Sequence, residues 1–298
     1  MTNNLTHGKK VLLTGGTGLI GKEAIPFLCQ SGFDVYALTT QTHPSDEKVH
    51  WITADLLDWT VVKEVLRNVK PQYLLHFAWG LSKGYITSTT NFDFLQASIN
   101  LLKQFAENGG SRVAMAGTFA EYGDNIETLS DTESLVRPMD VYAKCKNFLN
   151  EISRLYCENN NVSFAWGRIF SAFGKEWKAN RLTVDVINSL KAKKTITIRS
   201  GSLIRDYIYS KDVAAAFVKI LDGNVQGNIN ICTGIETSIH DYVMHIAKKM
   251  GQEYLVDFVD QPGNQQRRTV GDKTRLEKEV GFTPQYNIDT AFNEILFD

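Results

Sequence analysis

Short apolar runs alternate with segments of helical periodicity through residues 9–174. Six of these runs predict strands, at 9–15, 34–40, 49–56, 72–80, 112–118 and 162–174. Between them, apolar residues recur at intervals of three and four, which predicts helices at 19–32, 60–69, 91–110 and 141–160. Strands that alternate with helices indicate a parallel sheet with helices on both faces, joined by right-handed crossovers. The sequence therefore predicts an α/β fold with a doubly wound parallel sheet, which binds ligands at the carboxyl ends of its strands.

Composition and charge exclude several classes of function. The chain has 298 residues, 43% of them apolar, and a formal net charge of -1. It can bury a substantial core, and it has no basic surface for nucleic acid or an anionic membrane. The four cysteines lack CxxC spacing and the six histidines lack ligand spacing, so we expect neither a disulfide framework nor a metal. Without an apolar leader or a long apolar run, the protein is expected to be cytoplasmic.

Three glycines follow the first predicted strand at three-residue intervals, in the sequence TGGTGLIG. Gly15 would permit a tight turn, and Gly18 would let the backbone approach a pyrophosphate. Gly21 would let the next helix pack close to the strand, with its N-terminal amides facing the phosphates. Because the loop lies inside a strand–helix–strand unit, dinucleotide binding is favoured over plain turn glycines.

The ends of the second and third predicted strands bear on which dinucleotide is bound. An NAD enzyme would place a carboxylate at the end of the second strand, whereas this chain has Thr39. Without that carboxylate nothing repels a ribose 2′-phosphate, which favours NADP, although no arginine adjoins Thr39 and NAD stays the alternative. Asp55, after the third strand, would either accept a hydrogen bond from adenine or cap a helix.

The sequence VYAKCK places Tyr142 and Lys146 one turn apart on the same face of the helix predicted at 141–160. This spacing brings the lysine charge near the phenol or its neighbours. Taken alone, the same spacing is also typical of a solvated surface.

Eight segments, in order along the chain, resemble the extended short-chain dehydrogenase/reductases that act on nucleotide sugars. They are TGGTGLIG, HFAWG, GTFAEYGD, VYAKCK, GRIFSAFG, RDYIYSKDVAAAF, NICTGIETSI and EVGFTPQYNI. The resemblance covers nearly the whole chain and is greatest to reductases that make deoxysugar nucleotides for surface polysaccharides.

The resemblance implies a hydride-transfer site made by Thr118, Tyr142 and Lys146. Tyr142 would exchange a proton with a sugar oxygen while hydride passes between the sugar carbon and C4 of the nicotinamide. Lys146 would hold the nicotinamide ribose, and its charge would lower the pKa of Tyr142 and favour the phenolate. Thr118 would hydrogen-bond the reacting oxygen, unless it only caps a helix or ends a strand.

The resemblance also implies which residues bind the two ligands. Besides those already named, the dinucleotide would contact Thr17, Leu19, Ile20, Leu56, Phe77, Ala78 and Trp79. The nucleotide sugar would contact Thr118, Ser171, Arg181 and Arg205. Arg205 would bind the diphosphate, because a guanidinium fork donates two hydrogen bonds, whereas Arg181 could equally be a surface residue.

Two positions depart from the family's pattern. Ser171 stands where the family usually has an asparagine that touches the substrate. The second diphosphate arginine has no secure match, because Arg267 and Arg268 lie later in the chain than expected. Asp206 and Asp212 are predicted to be structural and to hold turns or caps.

The residues after Thr118 limit the reaction. Family members that eliminate water carry Asp-Glu there, whereas this chain has Phe119 and Ala120, which cannot transfer protons. NADP(H)-dependent reduction of a nucleotide-linked 4-keto-6-deoxyhexose is favoured, with an NAD-dependent 4-epimerase as the alternative. A non-catalytic NADP-binding regulator is disfavoured, because Tyr142 and Lys146 are both present.

The looser pattern after the sixth strand and the resemblance together predict the domain layout. Residues 1–170 would form a Rossmann-type domain to which 205–232 returns, and 171–204 with 233–298 would form a smaller C-terminal α/β lobe for the substrate. The helices at 91–110 and 141–160 would pair across two subunits as a four-helix bundle, so the resemblance implies a homodimer.

Overall fold

The computed structural model of the chain describes residues 8–44, 47–124, 127–175, 181–259 and 267–297. The first seven residues, on which the expectation of no leader rests, and residues 260–266, which precede Arg267, lie outside the described residues. In chain order the strands are β1 (Lys9–Thr14), β2 (Phe33–Thr39), β3 (Val49–Thr53), β4 (Tyr73–His76), β5 (Arg112–Thr118), β6 (Ser163–Ile169), β7 (Ser171–Phe173), β8 (Ile196–Ile198), β9 (Ile204–Arg205), β10 (Tyr207–Tyr209), β11 (Gly227–Ile231), β12 (Thr237–Ser238), β13 (Val256–Phe258) and β14 (Arg268–Thr269). The helices are α1 (Gly21–Gln30), α2 (Trp59–Val69), α3 (Thr90–Glu107), α4 (Val141–Asn159), α5 (Leu182–Lys191), α6 (Ser210–Asp222), α7 (Ile239–Lys249), α8 (Thr274–Lys278) and α9 (Ile288–Phe297).

Seven parallel strands form the main sheet, in the order β11-β6-β5-β4-β1-β2-β3. The chain runs from β1 to one edge through β2 and β3, then returns to the other side of β1 through β4, β5 and β6. This reversal confirms the predicted doubly wound sheet, and ligands bind in such sheets where the strand order reverses. That point lies between the carboxyl ends of β1 and β4.

Alternating side chains of each strand pack against different helices, which explains the continuous apolar runs. On β1, Val11 and Leu13 join a core cluster with α1 and α6, whereas Leu12 joins the cluster on the opposite face with α2, α3 and α4. Because both faces are covered by helices, a central strand needs apolar residues at every position.

The run at 162–174, predicted as one strand, is two strands in different sheets. β6 belongs to the main sheet, and β7 pairs with β10 instead. The intervening Phe170 is buried in a separate cluster with Tyr122, Leu129 and Cys232. The chain therefore leaves the main sheet after β6, and β11 takes the edge beside β6.

A second group of elements packs around its own apolar cluster. The short strands pair as β10-β7, β12-β9-β14 and β13-β8, and α5, α7 and α9 supply buried residues such as Tyr242 and Phe292.

Asp206 and Asp212 have the predicted structural roles. The Asp206 carboxylate accepts from the amides of Thr233 and Gly234, and the Asp212 carboxylate accepts from two amides just before α9.

Within the described ranges, no helix has both the length and the apolar character that spanning a bilayer requires. Those same ranges contain no group of three or more His, Cys, Asp or Glu side chains that could hold a metal ion. All four cysteines lie in these ranges, and none of them forms a disulfide bond.

Candidate functional site

The glycine loop between β1 and α1 forms a tight turn. Gly15 has a φ of +71°, in the left-handed region, and a Cβ there would lie 2.9 Å from the Ala78 amide nitrogen. A Cβ on Gly21 would overlap the Gly15 carbonyl oxygen, so both positions require glycine. Gly18 donates its N–H to the same carbonyl at 2.9 Å. Ile20, just before α1, has an apolar side chain that cannot cap the helix, and contact of the helix N-terminus with a pyrophosphate remains a prediction.

The remaining loop residues connect the main sheet to the second group of elements. Thr17, Leu19 and Ile20 are half-buried, and Ile20 packs against the core on the α1 face. A Cβ on Gly174, which follows β7, would lie 3.0 Å from Leu19 Cδ1. The loop thus contacts both parts of the molecule.

The end of β2 carries no acidic side chain. Thr39 is 4% exposed, and its hydroxyl accepts a hydrogen bond from the Gln41 amide at 3.1 Å, while Thr40 beside it is exposed. The described stretch 39–44 contains no Asp or Glu. The structure therefore places no carboxylate from this stretch at the strand end where an NAD enzyme would use one.

Asp55, after β3, does not cap a helix. Asp58 caps α2 by accepting from the amide of Thr60 at 3.1 Å. Asp55 instead closes a local turn by accepting from the Leu57 amide at 3.0 Å, with its side chain exposed and Leu56 buried in the core. A contact of Asp55 with adenine remains a prediction.

The residues after β4 form a wall beside the glycine loop. Phe77 packs against the core on the α1 and α6 face, and the Ala78 amide donates to the Thr14 hydroxyl at 3.2 Å. The Trp79 ring lies against the Lys146 ammonium, with 3.9 Å between Nζ and the ring centroid. These three predicted cofactor contacts therefore lie between the glycine loop and the lysine of α4.

His76, the last residue of β4, directly precedes these residues and is held by two hydroxyl groups. Its Nδ1 is 2.6 Å from the Thr14 hydroxyl and its Nε2 is 2.9 Å from the Ser98 hydroxyl. Burial, followed by the nearby charge of Lys146, lowers the pKa of His76 to about 3. His76 is therefore neutral, and both ring nitrogens have polar partners inside the protein.

The structure brings Thr118, Tyr142 and Lys146 together at the carboxyl end of β5. Tyr142 lies in the first turn of α4, which Asp140 caps, and the Thr118 side chain neighbours its hydroxyl. Lys146, one turn later, is buried and donates from Nζ to the Ala116 carbonyl at 2.9 Å. A phenol, a hydroxyl and an amine thus meet at a strand end, which is an arrangement suited to proton transfer.

Thr118 also has the alternative role considered from the sequence. Its hydroxyl accepts from the Ala120 amide at 3.2 Å and caps the 3₁₀ turn Phe119–Tyr122. Glu121 completes this cap by accepting from the Thr118 amide at 2.9 Å. The cap holds the hydroxyl next to Tyr142, so the two roles are compatible.

The pKa of Tyr142 is raised, which differs from the expectation that Lys146 would lower it. Burial of the phenol is the largest cause, followed by the nearby Tyr85 hydroxyl. The Lys146 ammonium is directed at the Ala116 carbonyl and the Trp79 ring. Burial lowers the pKa of Lys146 itself to about 7, which weakens its positive charge near neutral pH. In this structure Tyr142 is therefore a protonated phenol at neutral pH.

A buried network under the site is absent from the sequence-based prediction. The fully buried Glu121 carboxylate accepts from Arg168 Nε at 2.8 Å and from Trp166 Nε1 at 3.0 Å. Arg168 also donates to the Tyr122 hydroxyl at 3.1 Å, which donates to Asn230 on β11 at 2.7 Å. The signal was present in the segments GTFAEYGD and AWGRIF, whose polar residues pair with each other between the 3₁₀ turn after β5 and strand β6.

Arg205, the predicted diphosphate ligand, is half-buried on β9. Its Nη1 donates to the Ile204 carbonyl at 3.0 Å and to the Thr269 hydroxyl at 3.2 Å. Burial lowers the pKa of Arg205, and the positive charge of Arg267 lowers it further. The guanidinium groups of Arg205 and Arg267 therefore lie near each other.

The two later arginines have different surroundings, which the sequence left unresolved. Arg268, on β14, donates from Nε to Glu236 at 2.9 Å and is engaged by that ion pair. Arg267 is exposed, lies 3.3 Å from the Asp124 carboxylate, and acts on Arg205. Arg267 is therefore the better candidate for a second phosphate ligand.

The other two predicted substrate residues lie on different elements. Ser171 begins β7, and its amide donates to the Asp206 carbonyl at 3.0 Å. Arg181 precedes α5, and its guanidinium carbon lies 5.4 Å from the centroid of the Tyr85 ring. Tyr85, which the sequence did not single out, packs edge-on against Tyr142 with 4.9 Å between ring centroids.

Comparison with curated proteins finds relatives along nearly the whole chain. The UDP-glucose 4-epimerase of Rhizobium leguminosarum bv. trifolii is 23% identical over 309 residues, which cover 94% of each chain. The GDP-6-deoxy-D-talose 4-dehydrogenase of Aggregatibacter actinomycetemcomitans is 25% identical over 289 residues, which cover 91% of each.

Solved structures share the fold. The UDP-glucose 4-epimerase of Thermotoga maritima, determined with UDP-glucose, aligns with a TM-score of 0.85 at 17% identity, covering 95% of this chain and 96% of that one. The UDP-glucose 4-epimerase of Thermus thermophilus, determined with NAD, aligns with a TM-score of 0.84 at 22% identity, covering 96% of this chain and 98% of that one.

The model of the NAD dependent epimerase/dehydratase family matches residues 11–232. As its motifs predicted, this chain belongs to the NAD-dependent epimerase/dehydratase family of extended short-chain dehydrogenase/reductases.

Proposed function

We propose that the protein is an NADP(H)-dependent reductase of a nucleotide-linked 4-keto-6-deoxyhexose, carried by dTDP, CDP or GDP. The observation that carries this proposal is the protonated Tyr142, which lies beside Thr118 at a strand end that continues as Phe119 and Ala120. Such a site can give a proton to a ketone oxygen. We place the reaction in deoxysugar synthesis for surface polysaccharides, in the cytoplasm, where the four cysteines stay reduced.

Each residue has one task in this reaction. The bound dinucleotide would supply hydride to the keto carbon. Tyr142 gives its proton to the ketone oxygen, which becomes the hydroxyl of the product, and Tyr142 is left as a phenolate. Thr118 hydrogen-bonds the same oxygen and orients it toward Tyr142. Lys146 lies where it can hold the nicotinamide ribose.

Elimination of water is disfavoured by the residues next to Thr118. Removing water from a hexose needs a base for the carbon-bound proton and an acid for the leaving hydroxyl. Phe119 and Ala120 occupy the two positions where dehydratases of the family carry Asp and Glu. Glu121 cannot replace them, because it is fully buried and bound to Arg168, Trp166 and the Thr118 amide.

NADP is favoured over NAD by the end of β2. The described stretch 39–44 presents hydroxyls, an amide, an imidazole and a proline but no carboxylate, so it would not repel a 2′-phosphate. The proposed substrate class is supported by the relative named GDP-6-deoxy-D-talose 4-dehydrogenase. That name specifies a 6-deoxyhexose nucleotide and chemistry at C4.

The second candidate is an NAD-dependent 4-epimerase. It is favoured by the relatives that carry this name and by the NAD in the Thermus thermophilus structure. An epimerase uses the same Tyr142 and Thr118 but returns the hydride to the opposite face of the transient ketone, so it retains its dinucleotide.

The two candidates differ in how they hold the dinucleotide, which gives the decisive experiment. The purified protein is denatured, any released dinucleotide is identified by mass, and the emptied protein is titrated with NADPH and NADH. Empty protein that binds NADPH more tightly and oxidises it with a 4-keto-6-deoxyhexose nucleotide supports the reductase. Stoichiometric NAD that survives purification overturns the reductase in favour of the epimerase. Failure to bind either dinucleotide overturns both.

Replacement of the arginines tests the diphosphate site. We expect Arg267→Gln to weaken binding of the nucleoside diphosphate about tenfold or more, because a charge-assisted hydrogen bond is lost. Arg268→Gln is the matched control, since Arg268 is engaged by Glu236. Isothermal titration calorimetry with dTDP, CDP, GDP and UDP measures both variants and identifies the base. A larger effect from Arg268→Gln would reverse the assignment.

A homodimer is proposed from the outer faces of α3 and α4. These helices pack side by side, and they expose large apolar residues: Phe92, Phe148, Ile152 and Leu155. Phe148 is 52% exposed, and it lies one turn before Ile152 on α4. A second copy of the same face would cover these side chains in the four-helix bundle that the resemblance implies.

A charge on this face is expected to separate the subunits. Phe148→Asp should convert a dimer of twice the 33.5 kDa chain mass to a monomer, because a carboxylate is costly to bury without a partner. Light scattering coupled to size-exclusion chromatography measures the mass. Tyr254→Asp is the control, since Tyr254 is 77% exposed and lies outside α3 and α4. A wild-type monomer, or a dimer that survives Phe148→Asp, contradicts the proposal.

A further inference from the structure

Asn91 is a buried amide whose hydrogen bonds reach two separate segments beside the proposed active site. It lies in the first turn of α3 and is 1% exposed. Its Oδ1 accepts from Trp79 Nε1 at 2.8 Å. Its Nδ2 donates to the Tyr85 carbonyl at 2.6 Å and to the Ser88 carbonyl at 2.8 Å. The side chain therefore joins the wall that follows β4 to the 3₁₀ turn Tyr85–Thr87.

A side-chain amide is the group that matches all three partners of Asn91. It offers one acceptor oxygen and two N–H donors. The indole can only donate and the two backbone carbonyls can only accept, so the partners themselves fix which atom of the amide is oxygen. An aspartate would keep the acceptor and lose both donors, whereas a leucine of similar size would lose all three bonds. Substitutions at this position can therefore release the two segments together or separately.

The first segment carries an aromatic ring that lies against Lys146. The Lys146 Nζ is 3.9 Å from the centroid of the Trp79 ring, and the same nitrogen donates to the Ala116 carbonyl at 2.9 Å. The Trp79 ring also packs on Phe94 from α3, with 5.8 Å between centroids. Ring contacts of this kind tolerate sliding, whereas the directional hydrogen bond to Asn91 fixes which edge of the indole faces α3. Asn91 thereby sets the surface on which the lysine ammonium rests.

The second segment carries a ring that lies against Tyr142. Tyr85 meets Tyr142 edge-on, with 4.9 Å between centroids and 83° between planes. None of the residues of the 3₁₀ turn that begins at Tyr85 is buried, so hydrogen bonds contribute more than apolar packing to its position. Asn91 bonds the first residue of this turn and Ser88, the residue just after it. Asn91 therefore holds the Tyr85 ring against the catalytic phenol.

We propose that Asn91 is a positioning residue, which sets the two aromatic rings packed against Lys146 and Tyr142 and so fixes where these groups stand for hydride and proton transfer. This inference deepens the proposed reduction and rests on it for the meaning of that geometry. The reaction depends on placement, because a displacement of about 1 Å can cost on the order of 100-fold in rate. Binding of the dinucleotide depends mainly on its phosphates and adenosine, which the glycine loop and the end of β2 would contact. Loss of Asn91 should therefore lower kcat more than it weakens dinucleotide binding.

The main test compares Asn91→Leu with a matched asparagine on the same helix. Asn108→Leu is the control, because Asn108 follows the far end of α3, roughly 25 Å along the helix axis, and its Nδ2 also donates to a carbonyl, that of Gln104, at 2.7 Å. We expect Asn91→Leu to lower kcat about 10–100-fold with a dTDP-linked 4-keto-6-deoxyhexose, while the Kd for NADPH changes less than about threefold. Stopped-flow absorbance and fluorescence titration measure the two quantities. Asn108→Leu should leave both unchanged.

Two milder variants separate the segments. Asn91→Asp keeps the acceptor for Trp79 and removes the donors to the turn, whereas Trp79→Phe removes the indole donor and retains a ring. Each is expected to lower kcat less than Asn91→Leu does. Combining Trp79→Phe with Asn91→Leu should lower kcat by less than the product of the two single effects, because both changes break the same bond. If Asn91→Leu does not fold, these two variants carry the test, and a wild-type kcat in both overturns the inference.

A readout without turnover separates this inference from the proposed function. With 5-fluorotryptophan in place of the five tryptophans, ¹⁹F NMR of the full-length protein shows one resonance for each ring, and the Trp79 resonance is the one missing from Trp79→Phe. We expect Asn91→Leu to shift this resonance more than Asn91→Asp does, and Asn108→Leu to leave it in place. Far-ultraviolet circular dichroism confirms that each variant is folded.

Three results would overturn the positioning role of Asn91. They are a Trp79 resonance that stays in place in Asn91→Leu, a kcat of Asn91→Leu equal to that of the wild type, and fully multiplicative losses in the double variant. A protein that reduced no 4-keto sugar would overturn the proposed function instead. The Trp79 resonance, which needs no substrate, would then decide whether Asn91 sets the ring.

Discussion

Tyr142→Phe is expected to lower kcat by about 10²–10⁴-fold while leaving dinucleotide binding nearly unchanged. The substitution removes only the hydroxyl, so the ring can keep its edge-on contacts with Tyr85 and Trp79. What is lost is the proton donor for the ketone oxygen. Stopped-flow absorbance of NADPH measures the hydride step, and fluorescence titration with NADPH measures binding separately.

The control for this variant is a tyrosine that lies away from the site. Tyr254→Phe removes a hydroxyl from a residue that is largely exposed in the second group of elements, and it should leave kcat unchanged. A Tyr142→Phe protein that kept most of its activity would contradict the catalytic role. If the protein's biological role also survived the substitution, a non-catalytic NADP-binding regulator would become the better hypothesis.

The main sheet was predictable because its signals are local. Strands buried on both faces need unbroken apolar runs, and helices need apolar residues every three or four positions, so both can be recognised without knowing what they contact. The run at 162–174 was misread for the same reason. An unbroken apolar run does not show that β6 ends at Ile169 and that Ser171 pairs with a strand about 35 residues later.

The site was predictable where a motif carries its own geometry. Tyr142 and Lys146 face the same way because they are four residues apart on one helix, and Gly15 takes a backbone conformation that only glycine adopts easily. Tyr85 and Arg181 meet only in the folded chain, almost 100 residues apart, and no local pattern marks either one. The choice between Arg267 and Arg268 likewise depends on how β14 pairs with β9.

The raised pKa of Tyr142 shows that local spacing in the sequence does not predict the electrostatics of the site either. The spacing of Tyr142 and Lys146 suggests that a positive charge acts on the phenol, but it does not show how much water each group loses on folding. Burial disfavours both charged forms, the phenolate and the ammonium. It therefore raises the pKa of Tyr142 and lowers the pKa of Lys146. The sign of the pKa shift therefore follows from the packing of Trp79, Tyr85 and the strand end, and no part of the motif specifies that packing.

The largest expected loss of stability comes from the network below the site. Glu121→Ala should lower the free energy of unfolding by about 3–5 kcal/mol, because Arg168 would remain buried without its carboxylate partner. The Thr118 amide and the Trp166 indole would lose their acceptor as well. Urea denaturation followed by circular dichroism measures the change. Glu158→Ala removes a similar but exposed pair, with Arg154 at 2.9 Å, and should cost less than about 1 kcal/mol.

A second substitution shows whether the loss comes from the uncompensated charge. Adding Arg168→Met to Glu121→Ala removes the buried guanidinium and should recover part of the stability, since an unpaired charge costs more than an apolar side chain of similar size. Recovery should be incomplete, because the Thr118 amide still lacks its acceptor and each such buried donor costs about 1–3 kcal/mol. A double variant less stable than Glu121→Ala would contradict this account and would mean that Arg168 stabilises the fold through Tyr122 instead. Because the same carboxylate holds the cap that places Thr118 beside Tyr142, the double variant should regain stability without regaining activity.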